Sequence, residues 1–203
     1  MDLDVPSGDV FIHAGDIMKS ALNYEELGQI NRWLESLDFE HKILVPGNHD
    51  GVFELADRQW IREQFPMVHI LFGEAVELDG VRFFGSPWTP PFLNWYFMMN
   101  ETRIKKVLNE ENPGCDVLIT HGPPLWILDG NDRGESCGSI AVLEHVKRTN
   151  PALHFFGHIH EAYGREGKYS TLFFNVSAMD ERYRLVNAAV EVEYLKPAVE
   201  VEL

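Results

Sequence analysis

The sequence alternates short apolar segments with longer amphipathic ones, and this alternation restricts the fold to a small set. Runs of strand length occur in "DVFIHAG", "HKILVPG", "CDVLITHG" and "ALHFFGH". Four segments carry patterns that predict helices: "NYEELGQINRWLESL", "GVFELADRQWIREQF", "ETRIKKVLNEE" and "GSIAVLEHVKRTN". In the first of these, Asn23 is positioned to cap the helix. The alternation predicts an α/β (α+β) fold in which helices cover sheets.

Further strands are predicted between the second and third helices and at the end of the chain. "VHILFGEAVELDGVRFFGSP" is typical of strands joined by a hairpin turn at Asp79-Gly80. "YSTLFFNVSA" and "YRLVNAAVEVEYL" are predicted to close the chain as strands, and the Val-Glu alternation of the tail suits strands with one wet face. No linker divides the sequence, so we predict a single domain over residues 1–203.

The charge balance is strongly acidic, which restricts the binding partners. Thirty-two acidic residues stand against 17 basic ones, a net charge of −15. Such a surface repels nucleic-acid backbone and anionic membranes at long range. There is no apolar run near the ~20 residues that a bilayer span needs. The acidic N-terminus lacks an apolar stretch, and the two cysteines form no C-x-x-C motif, so we expect a cytoplasmic location.

Four predicted strand ends share one form: a small residue followed by a polar side chain. They are "HAGD" with Asp16, "PGNHD" with Asn48, His49 and Asp50, "THGPP" with His121, and "GHIH" with His158 and His160. Residues i and i+2 of an extended segment point to the same side, so both histidines of "GHIH" could face one site. Alone, that pair is equally typical of a solvated turn or a hydrogen-bonded core pair. Sites are usually built where polar residues gather at one rim of a sheet.

The residue types at these strand ends match the ligand preferences of certain metals. One Asp, one Asn and three His offer oxygen and nitrogen ligands, which suit Mn²⁺, Fe or Zn²⁺ better than Ca²⁺. An Asp carboxylate can bridge two metals roughly 3.5–4 Å apart, the spacing of hydrolytic two-metal sites. His49 adjoins Asn48 and could give a proton to a leaving oxygen.

The ordered motifs Gly15-Asp16, Gly47 to Asp50, Thr120 to Gly122 and Gly157 to His160 resemble those of the calcineurin-like metallophosphoesterases. The resemblance covers nearly the whole chain. "HAGD", "GSPW", "THGPP" and "GHIHEAYG" are most similar to the branch of small cyclic-nucleotide-type phosphodiesterases that includes the brain metallophosphoesterase-domain proteins. The resemblance implies a four-layer β-sandwich flanked by helices.

The resemblance also implies a role for each motif residue. Up to two divalent ions would be bound, with Mn²⁺ favoured over Fe, Zn²⁺ and Mg²⁺, and Asp16 would bridge them. Asn48, His121 and His158 would complete one metal site, and His160 would belong to the other. His49 would stand by the leaving group as the catalytic residue. The expected reaction is metal-activated attack of water on a small phosphodiester, cyclic nucleotides included.

The sequence departs from the family pattern at its beginning. The family's first motif, Asp-x-His after an initial strand, is absent, so the first strand is expected to be missing. Asp2 or Asp4 could substitute for the lost ligands, although a solvated terminus is the simpler interpretation. The chain is then either a shortened form of a full enzyme or a divergent member with one strong metal site.

Two functions besides phosphodiester hydrolysis remain open at this point. The chain could be a non-catalytic protein that binds metal or phosphate, or a phosphatase acting on a phosphomonoester or a phosphoprotein. The aromatic cluster of Trp88, Phe92, Trp95 and Tyr96 is predicted to pack a proline-rich loop, with stacking on a nucleobase as the alternative. We expect His41 and His145 at the surface, and His13, His69 and His154 either as hydrogen-bonded core histidines or as side chains that support the site residues from behind.

Overall fold

The computed structural model describes residues 3–111 and 114–195. Over these ranges the strands are β1 (Val10–His13), β2 (His41–Leu44), β3 (His69–Ile70), β4 (Glu74–Leu78), β5 (Val81–Ser86), β6 (Val117–Thr120), β7 (Leu153–Phe156), β8 (Gly164–Lys168) and β9 (Thr171–Asn175). The helices are α1 (Tyr24–Ser36), α2 (Gly51–Leu55), α3 (Arg58–Gln64), α4 (Glu101–Glu111) and α5 (Ile140–Thr149). A short 3₁₀ turn follows β7 at His160–Ala162.

The strands form two sheets. The first is parallel and has the order β1-β2-β3, and the second has the order β4-β5-β6-β7-β9-β8. Strands β5, β6, β7 and β9 are parallel to one another, whereas β4 and β8 pair antiparallel with their neighbours at the two edges. The predicted hairpin is confirmed, because β4 and β5 pair through Leu78 and Val81 around a turn in which Asp79 and Gly80 both have positive φ.

Neighbouring residues of the central strands point to opposite faces, and this alternation builds the layers. Ile43 faces the apolar cluster between the sheets, whereas Leu44 faces the cluster under α1 and α3. In the second sheet, Phe155 faces the first sheet, whereas Phe156 packs in the cluster that also contains residues of α4 and α5. The order helix, sheet, sheet, helix confirms the predicted four-layer sandwich.

The helices agree with the sequence patterns in all but one case. Asn23 caps α1 by accepting a hydrogen bond from the Glu25 N–H at 3.1 Å, as predicted. The helix predicted as a unit over 51–65 is instead two helices, α2 and α3. The break occurs because the Asp57 carboxylate caps α3, accepting from the Trp60 N–H at 3.0 Å. None of the described helices is long and apolar enough to cross a membrane.

The prediction of a strand over residues 183–195 is wrong, because this segment belongs to no strand. The rest of the Val-Glu tail, residues 196–203, lies outside the described residues. Val190, Val192 and Tyr194 still pack, partly buried, against the apolar cluster between the sheets. The Val-Glu alternation therefore correctly predicts that one side of this segment is apolar and the other solvated. The segment packs its apolar side without pairing with a strand of either sheet.

Two predictions about single side chains also need correction. His145 is buried rather than exposed, because it lies on the inner face of α5 beside Val146. Burial, followed by the nearby Arg148, lowers the pKa of His145 to about 4. In the aromatic cluster, Phe92 and Trp95 are exposed to 62% and 36%, so the packing prediction holds only for the partly buried Trp88 and Tyr96.

Candidate metal centre

The four polar loops of the sequence meet where the carboxyl ends of the two sheets adjoin. The loops after β1 and β2 belong to the first sheet, and those after β6 and β7 belong to the second. Hydrogen bonds of 2.9 Å connect them through His121, whose Nδ1 bonds the Ala14 carbonyl and whose own carbonyl accepts from the Gly157 N–H. The predicted rim is thus shared by both sheets rather than built on one.

Four of the predicted metal ligands lie together at this place. Ligand atoms of Asp16, His121 and His158 are all within 4.8 Å of one another. Asn48 joins them, because its Oδ1 lies 2.8 Å from His121 Nε2, and Asp16 Oδ2 lies 3.4 Å from the same nitrogen. Asn48 and His121 are almost fully buried, so their polar atoms can be satisfied only within the site.

The orientation of the His121 ring fits a bound cation. Its Nδ1 donates to the Ala14 carbonyl, so Nε2 is the ring nitrogen turned toward the other ligands. Nε2 faces the side-chain carbonyl oxygen of Asn48 and the Asp16 carboxylate, both of which are acceptors. Burial alone would lower the pKa of His121, but Asp16 raises it above its ordinary value. Positive charge at Nε2 is therefore favoured: a proton on the imidazole can supply it, and so can a divalent ion, for which the oxygen and nitrogen ligands are of the appropriate kind.

His158 and Asp16 are presented by strained backbone. Both are non-glycine residues with left-handed φ, 70° for His158 and 57° for Asp16. Such conformations persist where the surrounding structure enforces them, and they cluster at functional sites. Burial, followed by the nearby His121, lowers the pKa of His158 to about 3. The imidazole is therefore neutral at physiological pH, the form that binds a metal.

Asp50 holds two of these loops together, a role that the sequence did not indicate. Its fully buried carboxylate accepts four backbone N–H groups, from Asp16, Ile17, Met18 and Gly47, at 2.7–3.3 Å. Burial and the adjacent Asp16 raise the pKa of Asp50 to about 7, while the N–H groups favour its ionised form. Its position at the end of "PGNHD" was the only available signal.

The remaining predicted residues stand beside this group. The His49 backbone N–H donates to Asp16 Oδ1 at 2.7 Å, and its half-buried ring packs against Trp95 and Tyr183. His160 is not among the residues whose ligand atoms meet within 4.8 Å in the described part of the chain. Its Nδ1 bonds the Asp180 carbonyl at 2.9 Å, which leaves Nε2 as the nitrogen able to bind a metal.

Of the two terminal carboxylates considered as additional ligands, only Asp4 lies among the described residues. Asp4 is exposed and belongs to no group of potential ligands, and Asp2 lies outside the described residues. Within residues 3–111 and 114–195 there is one other such group, formed by Glu40, His41 and Asp79 at the opposite end of β2. There His41 Nε2 lies 3.0 Å from Asp79 Oδ2, and both carboxylates are exposed, which is typical of a surface ion pair.

Gly47 leaves the space that two ligands occupy, and this leads to a prediction. A Cβ at this position would overlap the Asp16 carboxylate and the His121 ring. We expect Gly47→Ala to raise the Mn²⁺ dissociation constant about 10- to 100-fold, the usual result of disturbing the support of metal ligands. Isothermal titration calorimetry measures this directly. Gly130→Ala is the control, because a Cβ there meets nothing within 4 Å; equal affinity in both variants would contradict the prediction.

Comparison with known proteins agrees with this geometry. The calcineurin-like phosphoesterase family matches residues 3–162. Metallophosphoesterase domain-containing protein 1 from Homo sapiens and its counterpart from Mus musculus are each 35% identical to this chain, over 96% of it and 67% of their own length.

A solved structure is similar in fold. The protein TT1561 of Thermus thermophilus gives a TM-score of 0.58 at 15% identity, covering 83% of this chain and 76% of that one. The sequence matches extend over most of the chain and include all four polar loops, on which the ligand group is built. The chain therefore belongs to the calcineurin-like phosphoesterase family of metal-dependent phosphoesterases.

Proposed function

We propose that this protein hydrolyses a small phosphodiester. The observation that carries the proposal is the arrangement around His121 Nε2, which faces the acceptor oxygens of Asn48 and Asp16. Asp16, Asn48, His121 and His158 would hold one divalent ion, and Asp16 with His160 would contribute to a second, with Mn²⁺ as the favoured metal. Bound ions of this kind activate water and offset negative charge on the phosphoryl group.

The protein's own groups account for the rest of the proposed reaction. The ligand set, of which Asn48 and His121 are buried, would position the phosphoryl group through the bound ions at the rim shared by the two sheets. His49 lies next to Asp16 through its backbone N–H, so its imidazole stands at the edge of the ligand group. From there it would protonate the oxygen of the departing group.

Two observations favour a diester over a monoester. The described hydrogen bonds and ion pairs of the four clustered ligands involve histidine, aspartate, asparagine and backbone groups, and none involves lysine or arginine. A phosphodiester carries one negative charge, whereas a monoester carries nearly two at neutral pH and needs more positive charge. The aromatic rings beside His49 also offer a surface for a second organic group.

The test compares bis(p-nitrophenyl) phosphate with p-nitrophenyl phosphate as substrates, with Mn²⁺ and then with chelator. We expect faster release of nitrophenolate from the diester, and loss of activity when the metal is removed. The Asp16→Asn variant controls for contaminating phosphatase and should be inactive. Faster hydrolysis of the monoester would favour a phosphatase. Tight metal binding without hydrolysis of either ester would favour a non-catalytic binding protein.

A further inference from the structure

Two exposed aromatic rings flank His49. The ring centroids of His49 and Trp95 lie 4.4 Å apart, and the two ring planes are inclined by 35°. The ring centroids of His49 and Tyr183 lie 5.7 Å apart, with an angle of 67° between the planes. Trp95 keeps 36% and Tyr183 60% of its surface exposed. Tyr183 also contacts His160 at 5.8 Å, so the rings extend along the edge of the ligand group. Large aromatic surface left open beside a polar site is typical of ligand binding.

The loop that carries Tyr183 is fixed by one aspartate. Asp180 accepts hydrogen bonds from the Arg182 and Arg184 N–H groups, and its carbonyl accepts from the Tyr183 N–H at 2.8 Å. The same carbonyl bonds His160 Nδ1. Tyr183 itself has a left-handed φ of 57°. The ring is therefore held beside the site by bonds within its loop and to a proposed metal ligand.

The loop that carries Trp95 is anchored to the second polar loop. The Tyr96 N–H donates to the backbone carbonyl of Asn48 at 3.4 Å, and the Phe97 N–H donates to Glu54 Oε2 at 3.1 Å. These bonds hold the backbone after Trp95, and the indole itself lies against the His49 ring. A binding surface that is ordered beforehand loses little conformational entropy when a ligand arrives.

We infer that Trp95 and Tyr183 bind a flat aromatic ring in the organic part of the substrate. This rests on the proposed function, which places the departing oxygen next to the His49 imidazole. A group bonded to that oxygen continues outward from His49 and meets the two rings. Face-on contact with Trp95 or Tyr183 favours aryl and heterocyclic groups over alkyl groups, because only flat rings stack. Trp95 and Tyr183 thereby determine specificity, and they take no part in bond breaking.

The experiment measures binding of phenylphosphonate and methylphosphonate to the Mn²⁺-loaded protein by calorimetry. Neither compound is hydrolysed, so the result does not depend on turnover. We expect the protein to prefer phenylphosphonate, and Trp95→Ala to weaken its binding roughly 10-fold while methylphosphonate binding stays constant. Tyr183→Ala should act in the same direction, and Tyr183→Phe, which keeps the ring, should retain the preference.

Trp60→Ala is the matched control. Trp60 is exposed to 37%, close to the value for Trp95, but it lies on α3 against Tyr24. The Trp60→Ala substitution should leave the affinities for phenylphosphonate and methylphosphonate unchanged. Equal binding of the two phosphonates by the unaltered protein, or equal losses for both in Trp95→Ala, would overturn the inference. A phenyl preference without any hydrolysis would overturn the proposed function alone, and hydrolysis without the preference would overturn this inference alone.

Discussion

Replacing His121 by alanine is expected to weaken Mn²⁺ binding at least about 100-fold, above the usual cost of losing an outer partner of a metal ligand. Hydrolysis of phosphoesters should fall to the level of the metal-free protein. The reason is that His121 Nε2 faces both Asn48 and Asp16, so its removal takes away the central member of the ligand group. Metal titration by calorimetry and the rate of nitrophenolate release measure the two effects.

His41→Ala is the control for this experiment. His41 belongs to the other group of potential ligands, at the opposite end of β2, so its loss should leave the metal affinity of the main site unchanged. Because His121 is buried, circular dichroism of the metal-free variant must show that the fold is retained. An unchanged titration in folded His121→Ala, or a loss in His41→Ala instead, would place the metal elsewhere.

His49→Ala should lower turnover by roughly 10²–10⁴, the range that general acid catalysis usually contributes. Metal content should be almost intact, because the bond from His49 to Asp16 is made by the backbone N–H and survives the substitution. The loss should be smaller for esters of nitrophenol, which leaves readily without a proton, than for esters of simple alcohols. Steady-state rates on both kinds of ester test this dependence on the leaving group.

The control for His49 is a half-buried histidine away from the site. His69→Ala serves, since His69 lies in β3 and its ring faces His41. It should change neither rate. Equal losses on good and poor leaving groups in His49→Ala would show that the imidazole instead supports the structure, for example by packing under Trp95.

The sequence was informative where local chemistry determines the structure. Apolar periodicity located most helices and strands, and Asp79-Gly80 specified the hairpin because both positions take positive φ. The polar residues after four strands indicated the site, because parallel strands deliver their carboxyl ends to one edge. Four of those residues do lie together, whereas His160 lies beside them.

The sequence was uninformative where distant contacts decide. The break between α2 and α3 depends on whether the Asp57 carboxylate caps a new helix or remains in solvent. A broken helix and a continuous helix would have the same apolar pattern. The tail shows that alternation indicates which side is apolar without indicating a hydrogen-bonded partner. Met18, whose N–H bonds Asp50, lies 32 residues away from it, and the His49 ring that contacts Tyr183 lies 134 residues away, so no local spacing reveals these contacts.

The clustered ligands are divided between the two sheets, and this has a mechanical consequence. Asp16 and Asn48 follow strands of the first sheet, whereas His121 and His158 follow strands of the second. Apolar side chains pack between the sheets, and the hydrogen bond from His121 Nδ1 to the Ala14 carbonyl joins the two sheets at the rim. An ion bound by both pairs would lock the two sheets in one register, and its binding free energy would add to the stability of the folded state in proportion to the logarithm of its concentration. Metal supply would then add to the resistance of the sandwich to shear.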